Sequence, residues 1–222
     1  MSQLNGGKAE ILKRIYLGAE AEILLHHMLD VEVIVKRRVS KSYRNPHLDR
    51  KINERRTLHE ATMMKRAREA GVCTPFIYHI NPKRAVIIME YINLPTYIDI
   101  INSSSEDIFQ ISQDVGKAVG KLHNNQIIHG DLTPSNILVG KEICLIDFSL
   151  SSYSSDIEKM GEDLCVFYNA LRSSIPQKYA SLFENFKQGY LEEREEAADK
   201  VFHRLSEILK RGRYVRRGFT EV

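Results

Sequence analysis

The chain has 222 residues, 43% hydrophobic and 27% charged, with a net charge of +3, an ordinary globular composition long enough for one large or two small domains and a substantial core. No apolar run reaches the length of a membrane span, Met1–Glu10 carries no apolar signal segment, and the small net charge does not mark the whole chain as a nucleic-acid protein. Three cysteines, an odd number without CxxC spacing, argue against a disulfide framework or a zinc site and fit a reducing cytoplasm.

The first third reads as strands: Ile11–Leu17, Ala21–Leu25 and Val31–Val35 are apolar or alternating runs of strand length. His26–His27 ends the second of them, with no third metal ligand near in sequence. A basic, polar stretch from Arg37 to Arg50 follows, with a turn signal at Asn45–Pro46. Asn53–Ala70 reads as a helix stopped by Gly71. Its apolar stripe contains Glu60 beside Met63, Met64 and Ala67, and a carboxylate on an inward stripe requires a partner. Val86–Tyr91 is a further strand, and the N-terminal part is expected to form a five-stranded sheet with one helix. Glu106–His123 is an amphipathic helix with Ile108, Ile111, Val115, Ala118 and Leu122 in one stripe. Val139 and Ile143–Ile146 suggest short paired strands around Gly140–Lys141. Ser155 with Glu158 forms a capping-box pair opening a helix. The remainder reads as helices over Gln177–Leu191 and Glu195–Leu209. Strands first and helices later make an α+β, two-lobed chain. The expected division is an N-lobe over 1–93, a minimal helical C-lobe over 94–210 and a basic tail over 211–222.

The chemistry concentrates in His129-Gly130-Asp131-Leu132-Thr133-Pro134-Ser135-Asn136, followed after a hairpin by Asp147-Phe148-Ser149. An Asp, an Asn five residues on and an Asp-Phe beyond a hairpin have the spacing of kinase catalytic and metal-binding loops. Phosphoryl transfer needs magnesium against the phosphates, a positioned nucleophile and charge neutralisation. Magnesium takes oxygen ligands, which suits Asn136 and Asp147, and Asp131 is placed to orient and deprotonate the attacking hydroxyl or water. Upstream, Lys36 ends the third strand, where a kinase holds its phosphate-binding lysine, and a Lys36–Glu60 pair would satisfy the inward carboxylate. Gly18, Ala19 and Glu20 lie between the first two strands, as a phosphate-covering turn or a plain hairpin turn. Met89, Glu90 and Ile92 stand where a kinase hinge meets adenine, with the Glu90 carbonyl and Ile92 N–H as the bonding groups.

Together with Gly18-Ala19-Glu20-Ala21, Tyr43-Arg44, Leu48-Asp49, Arg56-Thr57, Glu60-Ala61 and Arg211-Gly212-Arg213, the His129–Thr133 loop resembles a known family. This is the small atypical serine/threonine kinase/ATPase of the KEOPS (EKC) tRNA-modification complex, which includes the p53-related protein kinase. The resemblance spans nearly the whole chain. It implies a kinase fold using ATP and Mg2+, with ATP hydrolysis supporting threonylcarbamoylation of adenosine in tRNA. It also implies three partners: a metal-containing threonylcarbamoyl transferase subunit, a small regulatory subunit on the N-lobe, and tRNA. No membrane partner is expected, and the expected location is cytoplasmic.

Departures from common kinases bear on substrate. Ser149 stands where the metal loop has glycine, Gly130 where many kinases have arginine, and Thr133 where a lysine is common. No Ala-Pro-Glu follows Ser149, so a peptide-docking activation segment is missing. ATPase or autokinase work inside a complex therefore fits better than free signalling. A nucleotide-binding scaffold without turnover and a free protein kinase stay open as alternatives. The tail Lys210–Arg217 carries Arg211, Arg213, Arg216 and Arg217 around one tyrosine. It reads as a solvated charge run, a tRNA contact or a segment folding into the nucleotide cleft.

Overall fold

The computed structural model describes residues 10–17, 20–103 and 107–217; of the element ends 10–12 and 212–217 only the backbone path is described. The chain divides into two units. One takes the residues up to Lys65 with Pro75–Asn93, and the other takes Arg66–Thr74 and the residues from Leu94 onward.

The first unit is built on an antiparallel sheet of β1 (Glu10–Leu17), β2 (Ala21–Met28), β3 (Val31–Arg38), β4 (Ile77–Asn81) and β5 (Val86–Glu90), in spatial order β1-β2-β3-β5-β4. β3 is central, paired through Lys36 with Ile23 on one side and Ile87 on the other. The helix α1 (Pro46–Glu69) starts at Pro46 rather than near Asn53. Its first turn is held by polar chemistry: the Asn45 side-chain oxygen accepts from the N–H groups of His47 (3.0 Å) and Leu48 (3.3 Å), and Pro46 has no N–H to satisfy. The expected stripe is real, with Glu60, Met63, Met64 and Ala67 all buried. The edge strand β4 has little apolar alternation, because Tyr78 and His79 are exposed.

The second unit is mostly helical: α2 (Tyr97–Asn102), α3 (Ile108–Asn124), α4 (Ile157–Ser174), α5 (Tyr179–Arg194) and α6 (Glu196–Arg217). Short strands carry its loops. β7 (Ile137–Val139) and β8 (Ile143–Leu145) form a hairpin, and β6 (Ile127–Ile128) pairs with β9 (Ser152–Tyr153). α3 lies against α5 so closely that a Cβ on Gly116 would run into the Phe186 carbonyl, and one on Gly189 into that of Gln113. The buried face of α3 therefore runs through Ser112, Gly116, Val119 and Gly120 as well as Ile108, Val115 and Leu122, while Ile111 and Ala118 of the expected stripe are only half-buried, a rotation that hydrophobic periodicity does not reveal. Phe167, Phe183, Phe186 and Tyr190 fill the core beside it.

Three expectations are corrected here. The cap of α4 is Asp156, whose carboxylate accepts the Glu158 N–H at 2.9 Å, rather than Ser155. Cys73 and Cys144 form a disulfide, although their number and spacing argued against one. A parallel bridge with the Leu145 N–H on the Cys73 carbonyl (2.9 Å) brings the two Cα atoms to 4.4 Å, a pairing invisible across 71 residues of sequence. The basic run from Lys210 to Arg217 continues α6 as helix rather than leaving it as a tail. Among the described residues no helix is long and apolar enough to cross a membrane.

Candidate active site

In the first unit, β3 and α1 bring three charges together in a dry position. Glu60 Oε1 accepts from Lys36 Nζ at 2.6 Å, and Glu60 Oε2 accepts from Arg38 Nη2 at 2.6 Å. The side chains of Lys36, Glu60 and Arg38 are 5%, 1% and 3% exposed. Lys36 and Arg38 are two residues apart on one strand, so both point to the same face of the sheet, toward the inward stripe of α1. This is the partner that the Glu60 carboxylate required; Arg38 as a second partner was hidden within a run of basic residues. A carboxylate buried with two cations is held firmly, since removing one member of such a cluster costs about 3–5 kcal/mol.

The other first-unit residues divide. Gly18 and Ala19 lie outside the described residues. The Glu20 carboxylate is occupied by Arg56 Nη1 (3.1 Å to each oxygen), and the Glu20 carbonyl accepts the Val39 N–H at 3.0 Å. Glu20 thus closes a turn onto α1 and the end of β3. Met89 is buried in β5. Glu90 ties β5 to the start of β4: its N–H donates to the Phe76 carbonyl (2.8 Å), and its carboxylate accepts the Phe76 N–H (3.0 Å). Ile92 follows just beyond the end of β5, half-buried.

In the second unit the loop after β6 is suspended from one buried carboxylate. Asp163, on α4, accepts the N–H of Gly130 at Oδ1 (2.8 Å) and the N–H of His129 at Oδ2 (2.8 Å). Oδ2 also meets His123 Nε2 at 3.1 Å. A carboxylate only accepts, so His123 carries its proton on Nε2, and its Nδ1 accepts from the Tyr190 hydroxyl at 2.8 Å. Burial pushes the Asp163 carboxyl up, but its bonds from His123 and the loop outweigh that and hold it below the usual carboxylate range. Burial likewise pushes the His123 imidazole below its ordinary value, against the pull of Asp163. Burial also raises the Tyr190 phenol. The result is a neutral histidine clamped between a carboxylate and a phenol.

Gly130 has a physical reason to be glycine. Its φ is +81°, and a Cβ there would strike the Leu150 carbonyl. His129 packs its ring 4.8 Å from that of Phe148 and meets the Ile146 carbonyl through Nε2 at 3.1 Å, which joins the His129–Asn136 loop to the Asp147–Ser149 loop. The Asn136 carbonyl accepts the Ile146 N–H at 3.0 Å, a second tie.

Within this frame, Asn136 Nδ2 donates to the Asp131 carbonyl (2.9 Å) and to Asp131 Oδ2 (3.0 Å). Both donations fix the amide orientation and leave Asn136 Oδ1 as the atom that could ligate a cation. Asp147 sits at φ +62°, a left-handed backbone that Asp tolerates, and its Oδ1 accepts the Ser149 N–H at 3.2 Å. The pair Asn136 and Asp147 fits a hard cation that prefers oxygen and keeps several other ligands for phosphate and water. Among the described residues no group of three or more His, Cys, Asp or Glu side chains could hold a metal. After Ser149, β9 and the Asp156 cap lead directly into α4.

Sequence reasoning did not single out Asp163, His123 or Arg38. An Asp thirty-four residues beyond His129, inside an amphipathic helix, gives no local signal; only its place on the buried face of α4 would have marked it. Of the basic cluster, Arg211 is 3.7 Å from Glu158 and the backbone of the remainder is helical, while the side chains of Arg213, Arg216 and Arg217 lie outside the described part.

The fold and the two loops define a protein kinase, and residues 21–170 match the family model described as a protein kinase domain. Solved structures agree on the fold: the Rio2 kinase from Chaetomium thermophilum, described as its ADP/Mg2+-phosphoaspartate complex, has a TM-score of 0.65 at 16% identity, over 90% of this chain and 71% of its own. The KEOPS complex subunit Bud32 of Pyrococcus abyssi is 35% identical over 94% of this chain and 99% of its own length. A probable serine/threonine-protein kinase described as a BUD32 homolog, from Archaeoglobus fulgidus, is 37% identical over 92% of this chain and 97% of its own. A probable bifunctional tRNA threonylcarbamoyladenosine biosynthesis protein of Methanosphaera stadtmanae is 42% identical over 89% of this chain, which spans only 36% of that relative. The chain belongs to the Bud32 family of atypical protein kinases, as the resemblance in its motifs implied.

Proposed function

We propose that this chain is an ATP- and Mg2+-dependent phosphotransferase and ATPase that works within a KEOPS complex and supports threonylcarbamoylation of adenosine in tRNA. The observation that carries the reading is Asn136, which spends its amide protons on Asp131 and keeps its oxygen for a cation. Asp131 orients the attacking hydroxyl or water and takes its proton. Asn136 and Asp147 would hold magnesium, which would supply charge neutralisation for the phosphates. Lys36, fixed by Glu60, serves the α- and β-phosphates, and the backbone around Glu90 and Ile92 serves adenine beside Met89. Gly18, Ala19 and Glu20 would cover the phosphates through their backbone N–H groups.

The partners in this reading are a metal-containing threonylcarbamoyl transferase subunit, a small regulatory subunit on the first unit, and tRNA met by the arginines Arg211, Arg213, Arg216 and Arg217. The cytoplasm is its place. ATPase or autokinase work is favoured over phosphorylation of free peptides because only β9 and a helix cap separate Ser149 from α4. That same shortness supports a second reading, a nucleotide-bound scaffold without turnover.

The test is Asp147→Asn, chosen because asparagine also tolerates the left-handed backbone. It should abolish magnesium-dependent ATP hydrolysis while the melting temperature stays within about 2 °C, under 1 kcal/mol for a chain of this size. Undiminished turnover refutes the assigned roles. Full tRNA modification with a non-hydrolysable ATP analogue would favour the scaffold instead.

A further inference from the structure

Between the end of β3, the start of α1 and the β4–β5 turn, the first unit holds a cavity of about 480 Å³ that nothing above uses. Arg38, Lys41, Arg44, Arg50, Lys83 and Arg84 line it, with Asp49 as the sole acidic residue in its wall. Asp49 is committed to the scaffold: it accepts from Arg44 Nη1 (3.3 Å), Asn53 Nδ2 (3.1 Å) and the Lys41 N–H (3.4 Å). Arg38 is nine-tenths buried and anchored on Glu60, and its N–H donates to the Ala85 carbonyl at 3.0 Å, which seals the inner wall. The turn carrying Lys83 and Arg84 is also built, with the Asn81 side-chain oxygen accepting the Arg84 N–H at 3.1 Å. Arg50, Lys83 and Arg84 are exposed, and among the described residues no carboxylate pairs with their side chains.

We propose that this cavity is a phosphate-binding pocket that takes adjacent phosphate groups, as offered by an RNA backbone or by a free oligophosphate. Arg38 is matched by Glu60 and Arg44 by Asp49, but the exposed Arg50, Lys83 and Arg84 add three positive charges, more than a single carboxylate ligand would need. Arginine forks fit phosphate oxygens in pairs, and a buried member ordered in advance loses little freedom on binding. The hydroxyls of Ser40 and Ser42 add donors, while Pro46 and Ala85 are the apolar lining, so the wall has no aromatic face for a base. The ligand is thus recognised by its phosphates rather than its bases. Tyr43, exposed beside the cavity with Arg44 5.4 Å from its ring centre, is available to stack on a neighbouring nucleotide. The RNA source rests on the tRNA reading above; the oligophosphate source does not.

The test uses the full chain carrying Arg50→Glu, Lys83→Glu and Arg84→Glu together, which leaves the buried Arg38 and Asp49 untouched. In magnesium-free buffer, calorimetric titration with tripolyphosphate should show binding to the wild type, weakened about a hundredfold or more in the variant, since each charge-assisted bond contributes at least about tenfold. Circular dichroism and Mg-ATP binding should be unchanged, which separates this pocket from the nucleotide site. In the second arm, fluorescence anisotropy with a short labelled RNA should lose affinity, and the slope of log K against log salt should fall by about 0.7 for each phosphate contact removed. Loss of both ligands identifies RNA as a source; loss of tripolyphosphate alone identifies the free anion. Equal binding of both ligands by wild type and variant overturns the proposal. A chain that never hydrolyses ATP would refute the kinase reading and leave both arms intact.

Discussion

Replacing Asp163 with asparagine keeps the shape of the side chain and removes one acceptor and one charge. In the native arrangement Oδ1 serves the Gly130 N–H and Oδ2 serves the His129 N–H and His123 Nε2. An asparagine that puts its oxygen in the Oδ2 place turns its NH2 toward the Gly130 N–H. One buried backbone donor is then stranded, which costs about 1–3 kcal/mol, and the two surviving bonds lose charge assistance worth about 1 kcal/mol. The flipped amide strands two donors and is worse. The expected loss is about 3 kcal/mol, or roughly 6–10 °C in Tm for a chain of this size. Activity should fall further than stability, because His129 and Gly130 lead straight into Asp131, and a displacement of about 1 Å at a catalytic group costs about a hundredfold. Differential scanning calorimetry and steady-state ATP hydrolysis measure the two effects separately. KM for ATP should change little, since Lys36 and Glu60 are untouched. If Asp163→Asn melts within about 1 °C of the wild type and keeps its kcat, the carboxylate does not hold the loop and the argument fails.

Three further outcomes follow from the same structure. Glu60→Gln removes the buried carboxylate that Lys36 and Arg38 share, so urea denaturation should show a loss of about 3–5 kcal/mol, together with a raised KM for ATP. Cys73→Ser removes a cross-link spanning 71 residues of sequence, and chain entropy puts the loss near about 4 kcal/mol; wild type with and without reductant should reproduce the difference, and equal melting temperatures would show that the cross-link contributes nothing. Stability should also fall on acidification below about pH 6.5. His123 is neutral in the folded state and takes up a proton when unfolded, so between its lowered folded pKa and about 6.5 the unfolded chain binds more protons. The slope is about 1.4 kcal/mol per pH unit in that window, and His123→Gln should flatten it. The lowered Asp163 carboxyl adds a second loss at lower pH, as the medium falls from its unfolded value through its folded one.

Much of the candidate site's geometry was legible in the residue order. The spacing of Asp131, Asn136 and Asp147 encodes a loop, a hairpin and a loop, because each of those contacts closes over a few residues and local turn chemistry suffices. The Lys36–Glu60 pair was legible too, since a carboxylate on an apolar helix stripe forces a search for a cation. Most of the strand and helix order comes from periodicity, and the kinase class from the spacing of the two loops. The start of α1 at Pro46 was not legible, because its first turns carry charged residues without apolar period and are held by the Asn45 cap.

What only the tertiary structure decided are contacts between residues far apart in the chain whose local sequence has no reason to advertise them. Asp163 reaches back to His129, Cys73 meets Cys144, Gly116 and Gly189 let two helices touch, and Arg38 shares Glu60 while walling a basic cavity. Each is set by how helices and strands pack. Packing fixes distances between elements, whereas sequence pattern fixes only which face of an element turns inward.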